Sequence, residues 1–431
     1  MVSPPVSAKD AEKAGSSGLV PHPAVRAVND SPQNRARAAR AKCFILYPSF
    51  RIPTSGNRGL SFRIFYHLFH HNKSDFFARK AWDDKDMKRA AALSVFCLVA
   101  ALLLTGCGEE DSASSPEPRR FTTTFVRMDT AVNFTAYCNT SGDFDRAVQI
   151  VSDTLAEAEG LYDRYAEDSA LSALNRAGGA FVEVPQSLAA LLASCQEWGQ
   201  TVAGVNLAMG KVTDLWQAAR QTGILPDESA VREALACAQN AGLEWSDAGI
   251  RLTEPYASLD LGCVAKGAAA DQAADRLDAA GFTTYLLDCG TSSILCAGAP
   301  PGQEGWTVAL VNPDSRLNLS GAVSPDPTLG VLVLHDTALG VSGDYQRYGI
   351  FGGEVYAHVL DPETGYPARF VRQVCVLADS AARADYLSTA LFAQPFELAW
   401  QTAQNLSGAA GLFVLPDGSL RMTGEFPLRA A

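Results

Sequence analysis

The part of the sequence that follows residue 86 has few positive charges. It holds 21 Lys and Arg against 40 Asp and Glu, whereas residues 1–86 hold 14 against 7, and the whole chain carries a net charge of -12. Without a basic stripe the phosphates of a nucleic acid cannot be neutralised, which argues against nucleic acid as a partner. Any phosphate bound by the acidic body would therefore need a metal ion or backbone donors.

Nucleotide-binding glycine signatures and zinc-type cysteine spacing are also missing. Neither a Rossmann fingerprint nor a P-loop occurs, so the standard nucleotide folds are not supported. Seven scattered cysteines follow Cys107, and only Cys289 and Cys296 are close enough in sequence to be suspected of pairing. Histidine is scarce, because four of the six lie before residue 87 and only His335 and His358 remain in the body.

An export signal is present at residues 87–106. Met87-Lys88-Arg89 precedes the apolar run Ala90–Leu104, which is shorter than the about 20 residues that a membrane span needs. The end of this run, Leu104-Thr105-Gly106-Cys107, resembles a bacterial lipoprotein signal, in which the cysteine is lipidated. We therefore predict an upstream, non-native and disordered extension at residues 1–86, a signal peptide at 87–106 and a lipid-anchored linker at 107–120.

From residue 121 to residue 431 the pattern predicts one large α+β domain of mixed or antiparallel sheets with packed helices. Alternating residues indicate a hairpin over 121–137, and apolar residues at helical spacing indicate a helix over 143–165 with others at 186–202, 226–240, 263–280 and 380–392. Strands are predicted at 249–252, 258–261, 283–288, 294–297, 306–312 and 330–335, with a last hairpin over 411–423.

Residues 341–367 carry the first chemical signal. A glycine-bearing loop is predicted at Ser342-Gly343-Asp344, and two short apolar runs around Gly352-Gly353 predict a hairpin that leads to His358. Such a loop offers backbone N–H groups to an anion, and the imidazole beside it can act as a base.

Two other stretches add to this site. Asp260–Gly267 leads into the start of a helix, where Lys266 and backbone N–H groups face an anion together. Asp385 and Thr389 lie one turn apart on the helix predicted at 380–392, and their oxygen ligands suit Mg²⁺ better than zinc.

The order of seven motifs resembles the ApbE family, the FAD:protein FMN transferases. The motifs are Met128-Asp-Thr, Tyr165 with Asp168-Ser169 and Asn175, Asp260 to Lys266-Gly267, Asp288-Cys-Gly290, Ser342-Gly-Asp-Tyr345, His358-Val-Leu-Asp-Pro-Glu-Thr-Gly365, and Ala384-Asp385 with Thr389. The resemblance spans about residues 121 to 425 and implies a T-fold-like domain. It also implies Mg²⁺-dependent transfer of FMN from FAD to a Thr or Ser hydroxyl, with release of AMP.

The resemblance implies roles for individual residues and for partners. FAD contacts fall on Met128, Tyr165, Asp260, Lys266 and Val359, and more weakly on Gly204, Val205 and Asn206. Mg²⁺ ligands are the Cys263 carbonyl, Asp385 and Thr389, while His358 is the base, with an expected pKa near neutral, and Lys266 neutralises developing charge. The implied acceptor is an exported flavoprotein subunit of a membrane redox complex, and the implied location is the extracytoplasmic (periplasmic) face of a bacterial membrane.

Asp129 and Cys289 depart from the family pattern, which usually has Gly at both positions. Asp129 places a negative charge beside an expected contact of an anionic ligand. Two alternatives to the transferase stay open, the first because it needs the same metal and phosphate geometry and the second because of Asp129. One is a Mg²⁺-dependent FAD pyrophosphatase, in which water replaces the acceptor hydroxyl, and the other is a non-catalytic flavin-binding lipoprotein.

Overall fold

The structure, a computed structural model, describes residues 117–290, 292–315 and 326–430. The predicted extension, the signal and the lipidated Cys107 lie outside these residues. Within the described ranges, no helix combines the length and apolar character that crossing a membrane requires.

Fourteen strands form in the described ranges, and the two-residue turns between several of them follow the sequence pattern. Their bounds are β1 Arg119–Arg127, β2 Thr130–Cys138, β3 Leu243–Ser246, β4 Gly249–Leu252, β5 Tyr285–Cys289, β6 Ser293–Ala297, β7 Trp306–Val311, β8 Thr328–Leu334, β9 Thr337–Gly343, β10 Tyr348–Phe351, β11 Glu354–Ala357, β12 Gln373–Ala378, β13 Ala409–Val414 and β14 Leu420–Met422. The predicted hairpins β1–β2, β10–β11 and β13–β14 are confirmed.

The same ranges contain eight α-helices. Their bounds are α1 Ser141–Tyr162, α2 Ala170–Arg176, α3 Gln186–Thr201, α4 Gly210–Thr222, α5 Glu228–Asn240, α6 Ala265–Ala279, α7 Ala381–Phe392 and α8 Phe396–Gln404. Side-chain caps fix several helix starts, because Thr140, Ser169, Asp227 and Ser380 each accept a hydrogen bond from a backbone N–H of the first turn.

The central sheet has eight strands in the order β1-β2-β5-β6-β9-β12-β13-β14, and every neighbouring pair is antiparallel. Successive side chains of strand β12 point to opposite faces of the sheet, so this strand contributes to two separate cores. Val374 and Val376 join the large core formed with the helices, whereas Cys375 joins a smaller core with residues of the β7–β8 ribbon. Helices thus cover one face of the sheet and a two-stranded ribbon covers the other, which confirms the α+β prediction.

Several sequence predictions were wrong. Residues 258–261 form no strand, because only Ser258 makes an isolated bridge, to Met209. Helices α4 and α8 were not predicted. Ser342 and Gly343 end strand β9 instead of forming a loop, and the Asp344 N–H donates to the Arg372 carbonyl at 3.0 Å. Cys289 and Cys296 are both free thiols.

Candidate active site

A cleft of about 1150 Å³ collects residues from distant parts of the chain. Ten of the residues singled out in the sequence line it, namely Tyr165, Gly204, Val205, Asn206, Asp260, Cys263, Lys266, His358, Val359 and Thr389. This volume is slightly above the usual range of small-molecule sites, so a large ligand can be accommodated.

His358 follows directly on β11, whose antiparallel partner β10 begins at the mouth of the cleft. Its Nδ1 atom is buried and has no hydrogen-bond partner in the described part of the chain. Burial, followed by the positive charges of Lys266, Arg347 and Arg220, lowers the pKa of His358 to about 3. The expected near-neutral value was therefore wrong, and the free imidazole is neutral at physiological pH.

Three cations, Lys266, Arg220 and Arg347, line the cleft around this imidazole. Among the described residues none of the three forms an ion pair, whereas Arg164 pairs with Asp214 at 2.7 Å nearby. Arg220 is partly buried, and burial together with the charge of Arg347 lowers its pKa. Unpaired cations that repel one another raise the free energy of the empty cleft, so this arrangement favours an anionic ligand.

Lys266 lies in the first turn of α6, and the chain before it is held by backbone contacts. The Asp260 N–H donates to the Leu207 carbonyl at 2.7 Å, and the Gly262 N–H donates to Asp260 Oδ1 at 2.9 Å. The N-terminal end of a helix carries partial positive charge, which adds to that of the lysine. As predicted, this stretch presents Lys266 and a helix start to the cleft.

The proposed metal ligands meet at the junction of α6 and α7. The buried Asp385 carboxylate accepts the Gly267 N–H at 3.1 Å, and Thr389, one turn further along α7, lines the cleft together with Cys263. Burial raises the pKa of Asp385, while the nearby charge of Lys266 lowers it. Ser342 lies behind Thr389, with the two hydroxyl oxygens 3.2 Å apart.

These donors fit a hard divalent cation that keeps open coordination positions. A carboxylate, a hydroxyl and a main-chain carbonyl are oxygen ligands of the kind that Mg²⁺ accepts alongside substrate phosphates. In the described ranges no group of three or more His, Cys, Asp and Glu side chains is placed to hold a metal ion. The remaining ligands would therefore have to come from the substrate and from water.

Some residues that were predicted to contact FAD have structural roles within the fold. Asn206 donates to the Ala238 carbonyl at 2.9 Å and accepts from the Ala208 N–H at 2.9 Å, so its side chain shapes the loop. Gly204 has a φ of 98°, and a Cβ there would lie 2.2 Å from the Ala390 carbonyl oxygen of α7. Tyr165 is 57% exposed, with the Arg164 guanidinium 4.6 Å from its ring centroid and its hydroxyl 2.6 Å from Gln217 Oε1.

Met128 and Asp129 form the turn between β1 and β2. Both have positive φ values, 51° and 54°, as a two-residue hairpin turn of type I′ requires. Asp129 and Thr130 line the cleft, but Met128, Ser342, Gly343 and Asp385 are not among the lining residues. The Met128 N–H instead donates to Glu159 Oε1 at 2.5 Å, which fixes the turn against α1.

Residues 128–413 match the model of the ApbE family. This range is well over half of the chain and contains every residue that lines the cleft. The chain belongs to the ApbE family. Membership agrees with the resemblance seen in the motifs and with their order along the chain.

Relatives of this ApbE family member are described as FAD:protein FMN transferases. The Treponema pallidum relative is 28% identical over 346 residues, which cover 76% of this chain and 93% of the relative. The Rhodobacter capsulatus relative is 30% identical over 353 residues, which cover 80% of this chain and 64% of the relative. The apo flavinyl transferase ApbE of Pseudomonas stutzeri superposes with a TM-score of 0.62 at 24% identity, covering 73% of this chain and 98% of that one, and so shares the fold.

Among the polar residues of the ApbE cleft that sequence reasoning missed are Arg220, Gln346 and Arg347. Gln346 has a buried Nε2 without a partner in the described residues, and like His358 Nδ1 it is a polar atom for which the fold provides no bond. Gln346 and Arg347 directly follow the predicted Ser342–Tyr345 motif and could have been included with it. Arg220 lies on α4, a helix that was not predicted, and no sequence motif marks it as a residue of the site.

Proposed function

We propose that this chain transfers FMN from FAD to a Thr or Ser hydroxyl of an exported flavoprotein subunit of a membrane redox complex and releases AMP, with Mg²⁺ as cofactor. The observation that carries the proposal is the convergence of three cations without ion-pair partners, Lys266, Arg220 and Arg347, on one neutral imidazole in a single large cleft. The diphosphate of a dinucleotide supplies negative charge that can pair with these three cations.

Transfer at phosphorus requires charge neutralisation and an aligned nucleophile. Lys266 and the start of α6 would face the diphosphate, and Arg220 and Arg347 add positive charge around His358. Asp385, Thr389 and the Cys263 carbonyl would hold Mg²⁺, which supplies Lewis-acid polarisation of the phosphate oxygens.

His358 is suited to accept the proton of the acceptor hydroxyl. The imidazole is neutral in the free cleft, and an anionic ligand that offsets the surrounding cations raises its pKa toward the range of a useful base. The acceptor oxygen forms a bond to the phosphorus of the FMN half while the bond to the bridging oxygen breaks. AMP leaves with that oxygen, and the hydroxyl proton passes to His358.

The decisive experiment incubates the protein with FAD, Mg²⁺ and an acceptor domain and measures covalent FMN by mass spectrometry. We expect the acceptor to gain one FMN and AMP to appear in equal amount. Free FMN and AMP without labelled acceptor would instead establish the pyrophosphatase. Retention of FAD without AMP release would establish a non-catalytic flavin-binding protein.

Substitutions at the site test the assigned roles. His358→Ala should abolish transfer while FAD binding is retained, and loss of binding would make His358 a ligand contact.

Asp385→Ala should remove turnover together with metal dependence, and full activity would refute the metal site.

Arg220→Gln tests the cation cluster. It should raise the KM for FAD by about tenfold, since a charge-assisted contact to phosphate is worth roughly 1.5–3 kcal/mol. Arg232→Gln is the matched control, because Arg232 is exposed on α5 and pairs only with Glu228 at 3.1 Å. An unchanged KM in the Arg220 variant would remove Arg220 from the binding site.

Anchoring to the membrane is a separate part of the proposal, supported by the sequence of residues 87–107. Lipidated Cys107 would hold the domain at the extracytoplasmic face of a bacterial membrane. Cys107→Ser should release a soluble protein, as measured by fractionation, and continued membrane retention would contradict a lipid anchor.

A further inference from the structure

The β10–β11 hairpin is a separate two-stranded sheet whose inner face packs on α4. Tyr356 stacks on Trp216 with ring centroids 5.5 Å apart, and Phe351 meets the edge of Tyr356 at 5.3 Å. At Gly349 a Cβ would lie 3.2 Å from Arg220 Cγ, so the stem of that arginine lies against the strand. The inner face is thus fully used within the fold.

The outer face of the hairpin is apolar and is exposed on its β10 side, whereas Ala357 on β11 is buried. Side chains alternate along a strand, so Tyr348 and Ile350 lie on the face opposite Phe351, where Ile350 is paired with Val355 and Tyr348 with Ala357. Tyr348 is 37% exposed and Ile350 is 55% exposed. A solvated sheet face normally carries polar residues, and an isolated hairpin is marginally stable.

One edge of this hairpin is also open. In the part of the chain that the structure describes, β10 pairs only with β11. Strand β11 likewise pairs only with β10 among the described residues, and Arg369 contacts two of its inner-face side chains, lying over the Tyr356 ring at 4.2 Å and pairing with Glu354 at 2.8 Å. An uncovered strand edge is a template for an added strand.

The outer face leads directly into the active-site cleft. Tyr348 lines the cleft, and its cross-strand partner Ala357 is the residue before His358. A polypeptide laid along the free edge of β10 would reach the cleft at Tyr348, two strand spacings or roughly 10 Å from β11, which leads to His358. The part of that polypeptide that continues past Tyr348 into the cleft would carry the acceptor hydroxyl.

We propose that the outer face and open edge of β10 form the docking surface for the acceptor polypeptide. The acceptor binds as an extended segment with apolar side chains against Tyr348 and Ile350, and its Thr or Ser enters the cleft beside His358. This inference rests on the proposed function, since an acceptor hydroxyl must reach His358 and no such requirement applies to a second copy of the chain. Main-chain pairing with β10 supplies affinity that does not depend on the acceptor sequence.

The experiment uses Ile350→Ser and, as matched control, Leu398→Ser, which alters an equally apolar side chain that is 49% exposed on α8. The probe is an array of overlapping peptides that tile the exported flavoproteins of the source genome. Binding is read with fluorescently labelled His358→Ala protein, and transfer is read as covalent FMN on each spot. FAD affinity is measured separately by fluorescence quenching.

We expect Ile350→Ser to weaken peptide binding and transfer by about tenfold, as loss of a central apolar contact does, with FAD affinity unchanged. Leu398→Ser should behave as the parent protein. Peptide binding that ignores Ile350, or the absence of any bound peptide, would overturn the docking surface. Binding that depends on Ile350 without transfer by the active protein would leave docking intact and refute the transferase.

Measuring the oligomeric state tests whether a second copy of this chain, instead of the acceptor, covers this face. If the protein dimerises and Ile350→Ser makes it monomeric without changing peptide binding, the face is a contact between copies and the proposal is wrong. Size-exclusion chromatography with light scattering at several concentrations gives this result.

Discussion

The two walls of the cleft are built in opposite ways. At the α6–α7 junction, Gly267 brings the helix backbones into contact, and the Asp271 carboxylate accepts the Ala381 and Ala382 N–H groups at 2.7 and 2.9 Å. The β10–β11 hairpin on the other wall exposes apolar side chains and an unpaired edge. Rigid placement thus serves the groups that would hold metal and phosphate, whereas the open wall is left for a partner.

The largest expected effect comes from breaking the rigid wall at Gly267. A Cβ added there would lie 2.2 Å from the Ala381 carbonyl oxygen, a backbone atom that cannot turn away. Gly267→Ala should therefore lower the free energy of unfolding by about 1–3 kcal/mol, or more if the helices separate, as measured by urea denaturation. A variant of undiminished stability would show that the two helices can part at little cost.

Two comparison variants sharpen this result. Gly160 on α1 has no atom within 4 Å of an added Cβ, so Gly160→Ala should raise stability by about 0.4–1 kcal/mol. Ile350→Ser on the open wall should stay within about 0.5 kcal/mol of the parent protein, because its side chain is mostly in water.

A smaller effect on stability is expected at Asp271, which lies one turn after Gly267 on α6 and caps the start of α7. It also accepts the Ser380 hydroxyl at 2.8 Å, and Asn would replace one accepting oxygen by a donor. Asp271→Asn should cost about 1–2 kcal/mol of stability, as loss of a helix cap does, and should raise the Mg²⁺ concentration needed for half-maximal activity.

The metal readout distinguishes positioning from stability alone. Titration calorimetry with Mg²⁺ and a non-cleaved nucleotide should show weaker metal binding in Asp271→Asn than in Asp275→Asn, whose carboxylate is exposed on the same helix. Equal metal affinity in the two variants would show that Asp271 only caps the helix and does not position the metal ligands.

Residues with a local signature could be predicted from the sequence, and residues placed by tertiary contacts could not. The β1–β2 hairpin and the Gly352-Gly353 hairpin follow from short-range patterns and are confirmed. Helix α4 was missed although Trp216 on it is buried and donates to the Gly365 carbonyl at 2.7 Å. Its stability depends on packing against the hairpin, which no local pattern reports.

The residues of the candidate site also divide into those that a sequence motif marks and those that only tertiary contacts place there. Cys263, Lys266, His358 and Thr389 belong to motifs that can be recognised, and the structure brings them to one cleft. Arg220 is recruited from α4, and the low pKa of His358 arises from burial and from charges on three separate elements. Long-range electrostatics of this kind is decided only when the chain has folded.

The smallest expected effect concerns the titration of His358, where the two walls meet. The folded imidazole, with its pKa lowered to about 3, binds no proton between pH 7 and 6, whereas the unfolded chain begins to bind one as the pH falls toward 6.5. Stability contributed by His358 is therefore present above that value and is lost on acidification, by about 0.5–0.8 kcal/mol between pH 7 and 6. Buried carboxylates such as Asp385 have raised pKa values and act in the opposite sense, so the comparison must be between variants. Urea denaturation should show a smaller loss over this interval for His358→Gln than for the parent, with His335→Gln as the control for removing an imidazole. Equal losses in the parent and His358→Gln would mean that burial and the surrounding cations do not lower the pKa of His358.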